Sequence, residues 1–215
     1  CVTSIGACNV PTDEWELDIV ASGSQKGYMI PPGLSFVSVS EKAWKANEKS
    51  NLPKFYLDLK SYKKSLNANS NPYTPAVNLV FALEESLKMM REEGLTKIFN
   101  RHKKHKLAIS SAMQALDLKL FSDQEALSPS ITAIKTESFN AEDFRKIIKE
   151  KFDILLAGGQ DHLKGKIFRI GHLGYVNDRD IISIISAISY TLLYQNKITA
   201  EQVGSALIAA KNNLN

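Results

Sequence analysis

Residues 18–27 read Asp18-Ile19-Val20-Ala21-Ser22-Gly23-Ser24-Gln25-Lys26-Gly27, an apolar run that ends in small hydroxylated residues and one lysine. The apolar part is long enough for a buried strand, and the turn Pro31-Pro32-Gly33 follows it. An ammonium at the end of a buried strand is costly to desolvate, so a lysine there points to a chemical role. The commonest such role is a Schiff base to a carbonyl. The alternative, which the local pattern alone favours, is a lysine that extends its ammonium to water.

Composition restricts the class of protein. The chain has 215 residues, of which 44% are hydrophobic and 23% charged, as in an ordinary globular protein of one or two domains. The net charge of +4, with acids and bases interspersed, argues against a nucleic-acid surface. No segment reaches the ~18 uninterrupted apolar residues of a membrane helix. Cys1 and Cys8 match no common metal motif, so we expect reduced thiols, a cytoplasmic protein and no metal site.

The N-terminal part is predicted to be rich in strands. A second strand is expected at Leu34–Ser40, and Ser40 is a plausible N-cap for the helix after it. Pro75 is expected in the first turn of a long helix that has an apolar face and ends at Gly94. Thr74 by itself is interpreted as the N-cap of that helix.

The rest of the chain mixes helices with short strands, which predicts an α+β domain with a small antiparallel sheet. Helices are expected at residues 96–116, 141–151, 178–194 and 199–211, and strands at 130–135, 154–157 and 167–170. Asn140 is the expected cap of the second of these helices, and Thr199 with Gln202 resembles a capping box. The basic run Arg101–Lys106 is interpreted as a solvated helix face rather than a nucleic-acid site.

Arg169 is the second candidate functional residue. It ends the predicted strand Ile167–Ile170 beside glycines that let a ligand approach, and its planar guanidinium is suited to binding a carboxylate with two hydrogen bonds. The alternative is a structural salt bridge to Asp178 or Asp180. His172 follows the same strand and is assigned to packing or loop structure, with no catalytic role.

Three motifs together resemble the class V aminotransferases, nearest to the alanine–glyoxylate, serine–glyoxylate and serine–pyruvate branch. They are Ser22-Gly23-Ser24-Gln25-Lys26-Gly27, Pro31-Pro32-Gly33-Leu34 and Phe168-Arg169-Ile170-Gly171-His172-Leu173-Gly174-Tyr175. These enzymes use pyridoxal 5'-phosphate and have fold type I. The resemblance implies an α/β fold in which residues 1–50 end a large domain with a mostly parallel sheet. Residues 51–75 would form a linker, and residues 76–215 a smaller α+β domain with an antiparallel sheet.

The resemblance also implies a role for each matching residue. Lys26 would form the Schiff base with the cofactor and move the substrate proton. Gln25 would bind the cofactor phosphate, Val2 would pack on its ring, and Arg169 would bind the substrate α-carboxylate.

Two further residues belong to the contact between subunits that the resemblance implies. Thr74 matches a threonine that reaches the phosphate of the neighbouring subunit in a homodimer. Asn71 aligns with a tyrosine that does the same in relatives, so this chain departs from the family residue at that contact.

The implied reaction transfers an amino group from a small amino acid, alanine or serine, to glyoxylate or pyruvate, with no nucleic-acid or membrane partner. The chain looks like the C-terminal half of such an enzyme, because the aspartate that pairs with the pyridine nitrogen would fall just before Cys1. We therefore expect the chain alone to be inactive. We also expect the strands near Ile19 and Phe36, which have lost their partners, to be paired with another chain, covered or disordered.

Alternative activities remain at this point. Relatives are sometimes labelled soluble hydrogenase small subunit, so one alternative is a non-catalytic or hydrogenase-associated subunit that keeps the fold. Two cysteines, however, cannot hold a cluster that usually takes four thiolates. A lyase or decarboxylase on the same scaffold stays open, whereas a desulfurase would need a reactive cysteine that neither Cys1 nor Cys8 is placed to supply.

Overall fold

Two antiparallel sheets and seven α-helices form the fold in the computed structural model, which describes residues 1–215. In chain order the elements are β1 (Ile19–Gly23), β2 (Ser35–Val39), α1 (Glu41–Glu48), α2 (Leu59–Asn67), α3 (Val77–Glu93), α4 (Leu95–Ala115), β3 (Ile131–Lys135), α5 (Ala141–Phe152), β4 (Ala157–Gly158), β5 (Ile167–Gly171), α6 (Asp178–Tyr194) and α7 (Ala200–Leu214). None of these helices combines the length and hydropathy that crossing a bilayer requires.

The first sheet consists of β1 and β2 alone. The two strands pair antiparallel, from Ile19 opposite Val39 to Gly23 opposite Ser35. Each strand therefore has its partner within the chain, and the mostly parallel sheet expected for the larger domain is not seen in these residues. The hydroxyl of Ser24 closes the connection between them, because it donates to the Pro31 carbonyl at 2.8 Å and accepts from the Leu34 N–H at 3.1 Å.

The second sheet has the order β3-β5-β4, and it confirms the predicted small antiparallel sheet. Its central strand carries Phe168 and Ile170, both fully buried, into a core of 18 residues. Helices α4, α5 and α6 supply most of the other core side chains, including Ile109, Phe144 and Ile185. Each fully buried side chain of this size contributes about 1.5–3 kcal/mol, so this core is the main source of stability for the chain.

Three helix caps agree with those predicted from the sequence. Ser40 accepts from the Ala43 N–H, Asn140 caps α5, and Thr199 forms the predicted capping box with Gln202. A second capping box, between Asn177 and Asp180 at the start of α6, was not predicted.

The expected start of α3 was wrong. The helix begins at Val77, its N-cap is Ala76, and no side chain caps it, so Thr74 lies outside the helix and Pro75 is not in its first turn. The Val77 N–H instead bonds to the Pro75 carbonyl in a tight turn. This turn places the first helical residue two positions after Pro75, so Thr74 is too far from the helix to cap it.

The fourth strand is also displaced from its expected position. Residues 154–156 are irregular, and only Ala157 and Gly158 pair with β5. Leu156 packs into the core at 3% exposure, so this segment is fixed by burial rather than by strand pairing.

The apolar face predicted for α3 exists but lies largely uncovered. Val77, Val80, Phe81 and Leu87 are 41–64% exposed, whereas only Ser86 and Met90 of this helix are buried. Amphipathic spacing therefore identified the face correctly, but nothing in these residues packs over most of it.

Candidate active site

Lys26 lies in the turn directly after β1, in the segment Ser24–Ile30 that we call the Lys26 turn. Its N–H bonds to the Gly23 carbonyl at 3.2 Å, and its own carbonyl accepts from the Met29 N–H at 3.1 Å. The residue is half-buried, and no side-chain hydrogen bond or salt bridge within the chain engages its Nζ atom. The amine is thus held on a defined backbone without a competing ionic partner.

Gly27 brings the N-terminal segment against the Lys26 turn. A Cβ at this position would overlap the Ile5 carbonyl oxygen and lie 2.9 Å from the Cα of Gly6. Only glycine permits that approach. Val2, 47% exposed, is in the same N-terminal segment three residues before Ile5.

Helix α3 contacts the Lys26 turn from another side. The hydroxyl of Ser86, which is 4% exposed, donates to the Tyr28 carbonyl. A serine in the middle of a helix thereby satisfies a backbone acceptor of the turn rather than one of its own helix.

Gly174, in the motif at residues 168–175, packs against the Lys26 turn, which contains part of the motif at residues 22–27. It has φ +84°, and a Cβ here would lie 3.2 Å from Met29 Cγ and 3.7 Å from the Lys26 carbonyl oxygen. The segment that follows β5, five residues after Arg169, therefore packs directly on the Lys26 turn.

Arg169 is oriented by one hydrogen bond and free at its other end. It stands in the middle strand β5, between Ala133 and Ala157 on the neighbouring strands. Its Nε donates to the Gly158 carbonyl at 2.8 Å, while both Nη atoms have no partner within the chain. A half-buried guanidinium that is fixed at Nε and open at Nη is suited to binding a carboxylate.

The alternative of a salt bridge from Arg169 to Asp178 or Asp180 was wrong. Asp178 binds Lys104 at 2.9 Å and His105 at 2.8 Å, and Asp180 accepts from the Asn177 N–H at 2.9 Å in the capping box. Burial acts to raise the pKa of Asp178, but the two hydrogen bonds outweigh it and hold that pKa below its usual value.

The other predicted site residues lie at the surface. Gln25 is exposed, and its Oε1 lies where a Cβ on Gly23 would be only 2.9 Å away. Asn71 and Thr74 are exposed in the loop before α3. The roles of Gln25, Val2, Asn71 and Thr74 remain predictions.

The Pro-Pro-Gly turn packs against the start of α3. A Cβ on Gly33, which ends this turn, would lie 2.5 Å from Leu79 Cδ1 in the first turn of that helix.

The interpretation of residues 101–106 as a solvated face was wrong. His102 and His105 are fully buried, and of the six residues only Lys103 is exposed. A signal for this was present in the sequence: Ile98, His102, His105 and Ile109 follow one another at helical spacing, and all four face the interior.

Three of the four histidines are fully buried: His172 begins the segment that follows β5, and His102 and His105 lie on α4. His172 Nε2 lies 2.9 Å from the Thr132 hydroxyl, in agreement with the packing role expected for it. Burial lowers the pKa of His172 to about 3, and it also lowers the pKa of His102 and of His105. All three are therefore neutral at physiological pH.

Comparison with known proteins gives the family. Residues 1–174 match the family model described as Aminotransferase class-V. The chain belongs to the class-V aminotransferases. The predicted resemblance and the α/β fold with its antiparallel C-terminal sheet are thus confirmed.

Individual relatives of this class-V chain differ in their names. The chain is 57% identical over 191 residues to a protein named soluble hydrogenase, small subunit, from a Synechococcus species, covering 89% of the chain and 50% of that protein. It is 36% identical over 212 residues to the L-aspartate–glyoxylate aminotransferase of Paracoccus denitrificans, covering 98% and 53%. The crystal structure of ureidoglycine–glyoxylate aminotransferase from Bacillus subtilis superposes with a TM-score of 0.89 at 30% identity, covering 99% and 56%. The chain therefore spans about half the length of the relatives it matches.

Proposed function

We propose that the protein to which this chain belongs is a pyridoxal-phosphate-dependent aminotransferase that acts on small amino acids and 2-oxo acids. Alanine or serine is the proposed donor, and glyoxylate or pyruvate the proposed acceptor. The observation that carries the proposal is the contact at Gly174, which brings the segment after Arg169 onto the turn that holds Lys26. An amine and a carboxylate-binding guanidinium are thus supplied by two segments that pack together.

The residues of the Lys26 turn fit the cofactor. The Nζ of Lys26 is free of any ion pair, and the glycine that follows lets the N-terminal segment with Val2 approach. In the proposal Lys26 holds the aldehyde carbon, Gln25 binds the phosphate, and Val2 covers the ring. Pyridoxal phosphate supplies the electron sink that amino-group transfer requires.

The side chains of this chain have two tasks in the proposed reaction. Lys26 Nζ would hold the cofactor and would be the base that accepts and returns the substrate α-proton. The two Nη atoms of Arg169 orient the substrate carboxylate, because a planar guanidinium can donate two parallel hydrogen bonds to it.

In the proposed homodimer, each subunit contributes residues to the cofactor site of the other. Thr74 and Asn71 are assigned to the phosphate of a partner subunit in a homodimer, which agrees with their exposure in this chain. The chain covers only about half of its relatives, so we propose that it is inactive by itself. We also propose that the whole protein is a cytoplasmic homodimer.

The proposal is tested by a half-reaction screen. The full-length protein, loaded with pyridoxal phosphate, is mixed with alanine, serine or aspartate, and the visible absorbance of the cofactor is followed. We expect alanine or serine to convert the cofactor to its amine form, and glyoxylate or pyruvate to restore it. No spectral change with any of the three amino acids would contradict the proposal.

A second candidate function follows from the hydrogenase name of the relative with 57% identity. In that case the protein would keep the fold as a non-catalytic subunit. The two functions are distinguished by whether the full-length protein binds pyridoxal phosphate covalently, because a non-catalytic subunit has no need of a reactive lysine.

A further inference from the structure

The backbone of Gly174 is held on both sides by consecutive residues of α4. Arg101 Nη1 donates to the Gly174 carbonyl at 2.8 Å and to the Val176 carbonyl at 3.1 Å. The Gly174 N–H donates to His102 Nε2 at 3.1 Å. Gly174 is itself buried, so these bonds satisfy polar groups that water does not reach.

Arg101 is also held by Glu93, at the end of α3. Its Nε and Nη2 donate to the two carboxylate oxygens of Glu93 at 2.6 and 2.9 Å. The hydrogen bonds from Arg101 hold the pKa of Glu93 below its usual value, so the carboxylate stays charged. The guanidinium is thus anchored at the end of α3 and presents Nη1 to the backbone after β5.

His102 can make its two bonds in only one protonation state. Its Nδ1 lies 2.8 Å from the Ile98 carbonyl, which can only accept, so Nδ1 carries the proton. Its Nε2 must then be the unprotonated acceptor for the Gly174 N–H. This assignment follows from the hydrogen-bond partners.

We propose that Arg101 and His102 are positioning residues for Lys26. They act through Gly174, which packs on the Lys26 carbonyl oxygen and on Met29 and has no side chain to separate the two segments. The inference rests on the proposed function of Lys26. It adds two residues of α4 that contact neither substrate nor cofactor but determine where the lysine backbone lies.

The chain offers a matched control on the same helix. His105 is as fully buried as His102, but it bonds to Asp178 at the start of α6 and has no bond to Gly174. Replacing His102 by phenylalanine removes its bonds to the Ile98 carbonyl and the Gly174 N–H, and replacing His105 by phenylalanine removes its bond to Asp178; both changes keep a planar ring. Only the change at His102 leaves the Gly174 N–H without an acceptor.

The first test is hydrogen exchange in the cofactor-free, full-length protein. We expect His102→Phe to speed exchange of the amides at 24–30 about tenfold or more, since a buried donor left without its partner weakens the local packing. The His105→Phe variant should leave those amides unchanged. Equal effects of the two variants on residues 24–30, or no effect of His102→Phe there, would overturn the proposal.

The second test uses the loaded enzyme. His102→Phe should lower kcat of the half-reaction about tenfold with little change in KM, and His102→Gln, which can still offer an acceptor, should recover part of the rate. If His102→Phe does not fold, Arg101→Lys replaces it, because lysine keeps the charge beside Glu93 but lacks the planar fork. Unchanged exchange at 24–30 in Arg101→Lys would then overturn the proposal. Should the protein prove not to be an aminotransferase, the exchange measurements still decide whether α4 positions the turn.

Discussion

Gly174 packs on the backbone of Lys26, although 148 positions separate them in the chain: a Cβ on the glycine would lie 3.7 Å from the lysine carbonyl oxygen. The two residues follow strands of different sheets and belong to different sequence motifs. Because of this contact, the segment that follows Arg169 is held against the turn that contains Lys26. The two candidate functional groups, the Lys26 amine and the Arg169 guanidinium, are therefore carried by segments that pack together.

Gly174→Ala should destabilise the chain and disturb the Lys26 turn. Alanine at φ +84° is strained, and its Cβ would lie 3.2 Å from Met29 Cγ, so we expect a loss of about 1–3 kcal/mol in the free energy of unfolding. The measurement is urea unfolding of the variant and the unmodified chain.

Gly171→Ala is the control for that change. It is the last residue of β5, three positions before Gly174, and a Cβ there would meet no atom within 4 Å. The two alanine variants should therefore differ clearly in stability, and equal losses would show that the close approach at position 174 is not what requires glycine.

Arg169→Lys should weaken substrate binding without removing the positive charge. A lysine cannot reproduce the two-Nη geometry, and hydrogen bonds to charged groups contribute roughly 1.5–3 kcal/mol, so KM for the amino acid should rise about 10- to 100-fold. The comparison is between alanine and alaninamide in the full-length enzyme. Alaninamide lacks the carboxylate and should lose little, whereas an equal loss for both compounds would remove Arg169 from the substrate site.

Acidification should destabilise the chain through its buried histidines. An unfolded histidine takes up a proton below about pH 6.5, whereas folded His172, with a pKa of about 3, does not. Between these two values the unfolded state binds more protons, so the free energy of unfolding falls as the pH falls, by roughly 1 kcal/mol per pH unit for such a histidine. His102 and His105, whose pKa values are also lowered, add to the effect.

Unfolding by urea at pH 7 and pH 5 measures this slope. Replacing His172 by glutamine should make the slope shallower by about one proton. A slope that His172→Gln does not alter would contradict the assignment of His172 as a neutral buried residue.

Local signals explain why much of the fold was predictable. The bounds of α6 were predicted correctly at 178–194, because a long apolar run begins after Asp180 and ends in polar residues near Gln195. Ser40, Asn140 and Thr199 were recognised because a short side chain that accepts from the next turn is a strong local preference.

The remaining features depend on contacts that local patterns do not encode. Thr74 was misassigned because a cap requires a helix to start at the next residue, and the turn at Pro75 delays it. The bonds from Arg101 and His102 to Gly174 join residues more than 70 positions apart. Helical spacing indicates which face is apolar, but it does not indicate what covers that face, as the exposed Phe81 shows.

We propose above that Lys26 is the lysine that binds pyridoxal phosphate. The most direct measurement is borohydride reduction of the loaded full-length protein, followed by digestion and mass spectrometry. We expect one added pyridoxyl group on the peptide that contains Lys26. In Lys26→Ala this group, the visible absorbance of the bound cofactor and all turnover should be absent. A pyridoxyl group on another lysine, or an undiminished transamination rate in Lys26→Ala, would contradict it.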